Sequence, residues 1–289
     1  MTERYISITR QDATLAAILH TPEPKISDSG VLCDTGVVII VGGPQYRVGS
    51  HRQFVKLSRA LAAQGIASLR LDTAGMGDSS GSKAEFFQQD ADIDAAIAAL
   101  MQHCPQLKQV VLWGLCDAAS AILLQLNRPD PRISGVILLN PWVRQQHSHA
   151  EVMLKHYYLK RLFSRQFWRK MLGGGVTLRS SIKELWHTLQ QRKAKQPSVA
   201  KTPTANAQNY VQLMLRGWRQ FNGKVLVITS GNDLTAQEFL QLCASDSGWG
   251  ACLQSTQQQH IAAANHTFAS AAWRTEVEQY SCVFIKAAQ

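Results

Sequence analysis

The residues of this chain best placed to do chemistry are a thiol, an imidazole and a carboxylate, each just past an apolar run. The thiol is Cys116. Val110–Trp113 reads as a buried strand, Gly114 to Ala118 as a tight turn, and Ala118–Leu126 as a helix leaving it. Gly114 and Ala118, two positions either side of Cys116, carry no side chain or a single methyl, the smallness that a sharp strand–helix turn demands. A cysteine there stands exposed at the sheet edge and at a helix N-terminus, where amide N–H groups and the positive dipole end favour thiolate over thiol. The pattern is G-x-C-x-A where the usual nucleophile turn is G-x-S-x-G, a departure at two positions. The bland alternative is a structural cysteine buried in a strand–helix turn.

A thiol nucleophile needs a base and a group that orients the base. In a sheet that carries such a turn, acid and then histidine follow the nucleophile, each on a loop after a later strand. Val225–Ser230 reads as a strand ending in Gly231-Asn232-Asp233, which puts Asp233 in the acid's position. Asp246 is the competitor, expected in a polar loop after a helix. His266 falls just past the strand pattern Gln258–Ala263 and before a C-terminal helix, whereas His260 is expected within the strand. The catalytic set expected is therefore Cys116, Asp233 and His266.

Acyl chemistry also needs donors for a developing oxyanion: the amide after the nucleophile, here Asp117, and one from the loop after an early strand. That loop contains Gly42, Gly43, Pro44, Gln45 and Arg47. Pro44 has no N–H, so the second donor is Gly43 or Gln45, and Gln45 is favoured. Gly43 and the nearby Arg47, Ser50, His51 and Arg52 would face an anionic or polar group of the substrate, or else form an ordinary helix start. The glycine-rich turn from Asp72 to Gly81 lacks the Lys-Ser/Thr ending of a phosphate loop and the spacing of a dinucleotide turn. Structural support of neighbouring loops is its expected role. No Cys/His pair has zinc-ligand spacing, and the His147/His149 pair reads as a solvated surface. No metal and no cofactor are expected.

These positions require a particular frame. Tyr5–Arg10 and Leu15–His20 read as an opening hairpin, and Val37–Val41 as a buried strand ended by Gly42. Phe54–Ala63 reads as a helix stopped by Gly65, Ile66–Leu71 as a strand, Asp90–Met101 as a helix and Val136–Leu139 as a strand. Helices are expected at Ala236–Ala244 and Arg274–Ile285. Strands separated by helices imply an α/β fold with a mostly parallel central sheet and helices on both faces. Residues 1–140 and 223–289 would form this core. Residues 141–222 read as a helical insertion, with a Gly173–Gly175 break and a helix around Tyr210–Trp218, serving as a lid over the site or as an oligomerisation surface such as a homodimer contact.

At 289 residues, 45% hydrophobic and 17% charged, the chain can bury a sizeable core. No apolar run reaches the ~18–20 residues that cross a bilayer, so no transmembrane segment is expected. The opening residues lack the features of a signal peptide. Six scattered cysteines then read as free thiols in a cytoplasmic protein. The net charge of +10 is uneven: residues 141–222 hold fifteen Lys and Arg against two acids, and the rest of the chain carries −3. Confined to one insertion, the excess suits an anionic or carrier-bound acyl substrate, an acidic protein or a membrane surface rather than nucleic acid, or else is a solvated helical face with no partner.

Beyond single motifs, Gly42 to Phe54, Gly75 to Gly81, Trp113 to Ser120, Leu139 to Arg144, Gly231 to Ala236 and Asn265 to Phe268 together resemble one family. It is the α/β-hydrolases encoded beside exosortase A protein-sorting and exopolysaccharide systems, the type called hydrolase 1. The resemblance spans about residues 5 to 285 and is weakest in the basic insertion. It implies an α/β-hydrolase fold and a cytoplasmic bacterial hydrolase acting on an acyl ester or thioester. The cysteine turn is also similar to those of dienelactone hydrolases and polyester-forming acyltransferases. Acyl transfer to a hydroxyl acceptor, and a non-catalytic binding module, are the alternative functions.

Overall fold

The computed structural model describes residues 1–10, 12–23, 33–144 and 204–287. Most of the basic insertion, the His147/His149 pair and the glycine break at 173–175 lie outside the described residues. The described parts of Met1–Arg144 and Ala205–Gln289 form one compact unit.

An antiparallel hairpin opens the chain, β1 (Thr2–Thr9) against β2 (Thr14–Thr21). The alternating elements that follow are β3 (Thr35–Ile40), α1 (Gln53–Ala63), β4 (Ser68–Leu71), α2 (Asp90–His103), β5 (Gln109–Leu115), α3 (Asp117–Gln125) and β6 (Ile133–Leu139). Further along come α4 (Tyr210–Gln220), which falls within the expected insertion but in the core unit, β7 (Lys224–Asn232), α5 (Leu234–Ser245), α6 (Ser247–Gln254), β8 (Gln257–Asn265) and α7 (Ala271–Ala287). One eight-stranded sheet results, in the order β1-β2-β4-β3-β5-β6-β7-β8. β2 joins β4 antiparallel, and from β4 to β8 every neighbouring pair is parallel.

Successive side chains of a strand point to opposite faces, so the apolar runs of β3, β5 and β6 serve two cores. Val37, Ile39, Val111, Trp113 and Ile137 pack with Phe54 and Leu61 of α1 and Phe284 and Ile285 of α7. Val38, Ile40, Leu112, Val136 and Leu138 pack with Ile97 and Leu100 of α2 and Ile122 and Leu123 of α3. Trp113 keeps its polar edge satisfied, its Nε1 donating to Ser281 Oγ at 3.2 Å.

The helix expected around Tyr210–Trp218 is α4, and it packs into this second core. A Cβ on Gly217 would lie 2.1 Å from the Leu123 carbonyl, so glycine lets α4 and α3 approach closely. Trp218 stacks on Phe239 at 6.2 Å and meets Trp249 edge-on at 5.7 Å. One element differs from expectation: the polar loop assigned to Asp246 is the start of α6. Asp246 caps that helix, its Oδ1 accepting from the Gly248 and Trp249 amides at 2.8 and 3.1 Å. Among the described residues no helix is long and apolar enough to cross a membrane.

Candidate active site

Because β3, β5, β7 and β8 run parallel, the loops leaving their carboxyl ends gather on one edge of the sheet, where open α/β sheets bind ligands. Gly43 leaves β3, Cys116 leaves β5, Asp233 ends the loop after β7, and His266 follows β8.

Cys116 takes φ 63 and ψ −124, a conformation rarely adopted by a side-chain-bearing residue. Strain of this kind costs ~1–3 kcal/mol and persists only where the surroundings impose it. Here β5 enters the turn and α3 leaves it at once. The Cys116 amide donates to Leu139 O at 2.8 Å, and its carbonyl accepts from the Ser120 and Trp142 amides, both at 3.3 Å. The expected need for smallness is met: a Cβ on Gly114 would lie 2.7 Å from Ile122 and 2.8 Å from the Ala118 backbone. All six cysteines are free, and Cys116 is the one that is not buried. Burial pushes the Cys243 thiol up to about 12 and Cys282 up to about 11, and raises Cys104 and Cys252, which keeps those four as inert thiols.

His266 Nδ1 stands 2.9 Å from Asp233 Oδ2. The pair meets the distance of a charge-assisted hydrogen bond but not its alignment; such contacts often align fully only when substrate is bound. The Asp233 carboxylate first, and then the Cys116 thiol, push the His266 imidazole up to about 10 against the opposing effect of its burial. Asp233 is 7% exposed and also caps α5, its Oδ1 and Oδ2 accepting from the Thr235 and Ala236 amides at 3.3 and 3.0 Å. Asp246 is engaged at the head of α6 instead. His260 lies within β8, as expected, with Nδ1 2.9 Å from Thr229 Oγ1.

Of the two amides weighed in the loop after β3, Gly43's is the one that meets the nucleophile turn, donating to Asp117 Oδ2 at 2.8 Å. The side chain of Gln45, whose amide is the favoured alternative donor, braces its own loop, its Oε1 accepting from the Ser50 amide at 3.1 Å. Arg47 differs from expectation. Its guanidinium pairs with the fully buried Asp72 and, at 2.5 Å, with Asp78, so its charge is neutralised internally rather than offered to a substrate. Asp72 further accepts from the amides of Arg47 and Asp78. The glycine-rich turn thus fastens the Gly43 loop in place, the supporting role expected of it. His51 and Arg52 are exposed at φ 53 and 59, with no ion pair among the described residues.

Asn140 is a residue the sequence reading did not single out. Fully buried at φ 43, it donates from Nδ2 to Ser230 Oγ at 2.8 Å and to the His266 carbonyl at 3.2 Å, and its Oδ1 accepts from the Ser230 amide at 2.9 Å. One amide side chain at the end of β6 therefore ties the strand that leads to Asp233 to the loop that carries His266. The visible signal was an Asn-Pro pair closing a buried strand, since asparagine tolerates the left-handed region.

A mostly parallel sheet with a strained strand–helix turn at the end of β5 is the α/β-hydrolase fold. The model of the family described as "Serine aminopeptidase, S33" matches residues 34–237, and the chain belongs to that hydrolase family. Cys116 stands at the turn in a family whose description names serine. No curated protein matches the chain. Among solved structures it is similar to the esterase Pf2001 of Pyrococcus furiosus (TM-score 0.62, 15% identity, 99% of this chain and 92% of that one). It is similar also to the α/β hydrolase GrgF from Penicillium sp. sh18 (TM-score 0.60, 15% identity, 100% and 99%) and to an α/β serine hydrolase homologue from Coxiella burnetii (TM-score 0.58, 13% identity, 98% of each). At these identities the likeness is one of fold.

Proposed function

We propose that this hydrolase cleaves acyl thioesters or activated esters through a Cys116–His266–Asp233 triad and an acyl-thioenzyme. The observation that carries the reading is a half-buried cysteine, held at positive φ at a helix start, beside an imidazole whose Nδ1 lies 2.9 Å from a buried carboxylate.

The Cys116 thiolate attacks the acyl carbon; the S–C bond forms and the carbonyl electron pair moves onto oxygen. The amides of Asp117 and Gly43 receive that oxyanion. Collapse breaks the bond to the leaving thiol or alcohol, which takes the proton from the second ring nitrogen of His266. Neutral His266 then removes a proton from water as the water oxygen attacks the acyl group. The carboxylic acid leaves, and the thiolate–imidazolium pair is restored. Asp233 holds the ring and offsets its charge throughout. Thiolate is a good nucleophile and a good leaving group, so thioesters, lactones and strained esters suit this site better than amides.

The basic stretch 141–222 supports a phosphate-bearing acyl donor, such as acyl-CoA or an acyl carrier protein, captured electrostatically. The motifs shared with the exosortase-associated hydrolases support a cytoplasmic role linked to exopolysaccharide or protein sorting. The test is incubation with a panel of p-nitrophenyl esters and acyl thioesters, followed by intact-mass measurement. An acyl adduct on Cys116 is expected. Turnover that persists unchanged in Cys116→Ala would refute the assignment.

A further inference from the structure

One of the two proposed oxyanion donors, the Gly43 amide, is already engaged. Asp117 follows the nucleophile and opens α3, and its side chain folds back over the turn. Its Oδ2 accepts the Gly43 amide at 2.8 Å. The Oδ1 atom lies 2.0 Å from where a Cβ on Gly42 would stand, so only glycine fits opposite it. Oδ1 is buried and accepts no hydrogen bond among the described residues. A carboxylate therefore holds, beside the nucleophile turn, an amide that would otherwise be free to stabilise a tetrahedral oxyanion. Burial holds the Asp117 carboxyl above the usual carboxylate range, against the lowering effect of the Gly43 amide and of His266.

We propose that the Asp117 carboxylate is an internal occupant of the oxyanion pocket, which a substrate must displace before Cys116 can attack its carbonyl. This rests on the reading of Cys116 as the nucleophile and makes Asp117 a specificity-determining residue. A donor with extensive contacts elsewhere supplies the displacement from its remote binding, whereas a small ester with few contacts cannot. The site is then selective for large acyl donors without any change at the thiol itself.

The test compares two reactions of Cys116 in the wild type, Asp117→Asn and Asp117→Ala. Acylation by p-nitrophenyl acetate generates an oxyanion; alkylation by iodoacetamide, a displacement at a saturated carbon, does not. Both consume thiolate, so the ratio of their rates cancels any change in the thiolate population. Asparagine keeps the shape and an acceptor for Gly43 while removing the charge, which guards against loss of fold in the alanine variant. Removing one oxyanion donor typically costs ~10²–10³ in rate. Freeing that donor is accordingly expected to raise the acylation-to-alkylation ratio by about 10- to 100-fold in Asp117→Ala and by less in Asp117→Asn. An unchanged or lower ratio in both variants overturns the proposal while leaving Cys116 as nucleophile. Absence of either adduct on Cys116 in all three proteins overturns the nucleophile assignment and this inference with it.

Discussion

Replacing Asp233 by asparagine separates the two tasks that this side chain performs. Its Oδ2 serves both the Ala236 amide at 3.0 Å and His266 Nδ1 at 2.9 Å. An amide oxygen kept at that position preserves the cap of α5, since asparagine caps as well as aspartate, and the imidazole loses only its charged partner. Thermal stability should therefore stay close to wild type while kcat falls by roughly 10²- to 10⁴-fold, the usual cost of losing the orienting acid. The pH profile carries the sharper reading. His266 is pushed up to about 10, with Asp233 as the largest cause, so in the wild type the imidazolium that protonates the leaving group persists until pH approaches 10. Without the carboxylate, the alkaline limb of kcat/KM should move down toward the ordinary imidazole value of ~6.5. An alkyl thioester is the substrate to use, because its leaving thiol needs the proton; p-nitrophenolate does not, and its profile should shift far less. Asp233→Ala should add loss of the cap, ~1 kcal/mol, or a fall in Tm of ~2–4 °C for a chain of this size. Asp246→Asn should leave kcat within about twofold, since that side chain caps α6 alone. An Asp233→Asn enzyme with near-normal kcat and an unmoved alkaline limb would refute the reasoning.

The remaining expectations concern the nucleophile, the buried histidine and the basic stretch. Cys116→Ala should abolish turnover and leave the fold intact, while Cys116→Gly, equally inactive, should melt higher because glycine relieves the φ 63 strain, worth ~1 kcal/mol or more; equal melting points for the two would contradict that account. His20 is fully buried and pushed down to about 4, first by burial and then by Arg70, with Glu3 opposing. The unfolded chain takes up a proton near pH 6.5 that the folded chain refuses, so stability should fall as pH drops from about 6.5 to about 4, by up to ~3 kcal/mol. Denaturant titrations at pH 7 and 4.5 should show a smaller difference in His20→Gln than in the wild type. For an acyl-CoA, kcat/KM should fall as salt rises past ~0.1 M, where the Debye length is about 10 Å, and charge reversal at Arg165, Arg169 and Lys170 should mimic high salt; equal salt responses for a neutral ester would remove the basic stretch from substrate capture.

What could be read from the sequence follows from how local its cause is. β3, β5, β6 and β7 are apolar runs bounded by turn residues, and α1, α2 and α5 repeat their apolar residues at helical spacing, so short windows sufficed. The order of strands did not follow from any window. The antiparallel joint of β2 to β4 rests on pairs such as Ala17 with Leu71, far apart in the chain. Helix α6 was hidden by Gly248 and Gly250, which lower helix propensity by ~1 kcal/mol each, although Asp246 two residues before Gly248 is a helix-start signal. Arg47 was legible as a charge, but its neutralisation by Asp72 and Asp78 depends on a loop beyond the next strand. Asn140 was legible as a turn former, whereas its partners lie 90 and 126 residues away.

Asp117 is where local and global demands on this chain conflict, and the conflict has a measurable sign. An acid in the first turn of a helix is favourable, because it faces the unpaired amides and the positive end of the dipole, worth ~0.3–1 kcal/mol. By folding considerations alone Asp117 suits the start of α3, and its bond to Gly43 also draws the loop after β3 onto that helix. In the proposed mechanism the Gly43 amide is needed instead by the substrate's oxyanion. Both demands cannot be met at once, so one side chain trades stability of the resting enzyme against readiness to react, as residues that depart from the optimum at functional sites commonly do. Asp117→Ala should therefore lower the unfolding free energy by ~1 kcal/mol while it speeds acylation of Cys116 by a small ester. Two observables moving in opposite directions from one substitution distinguish an occupied oxyanion pocket from an ordinary helix start, where both would fall together.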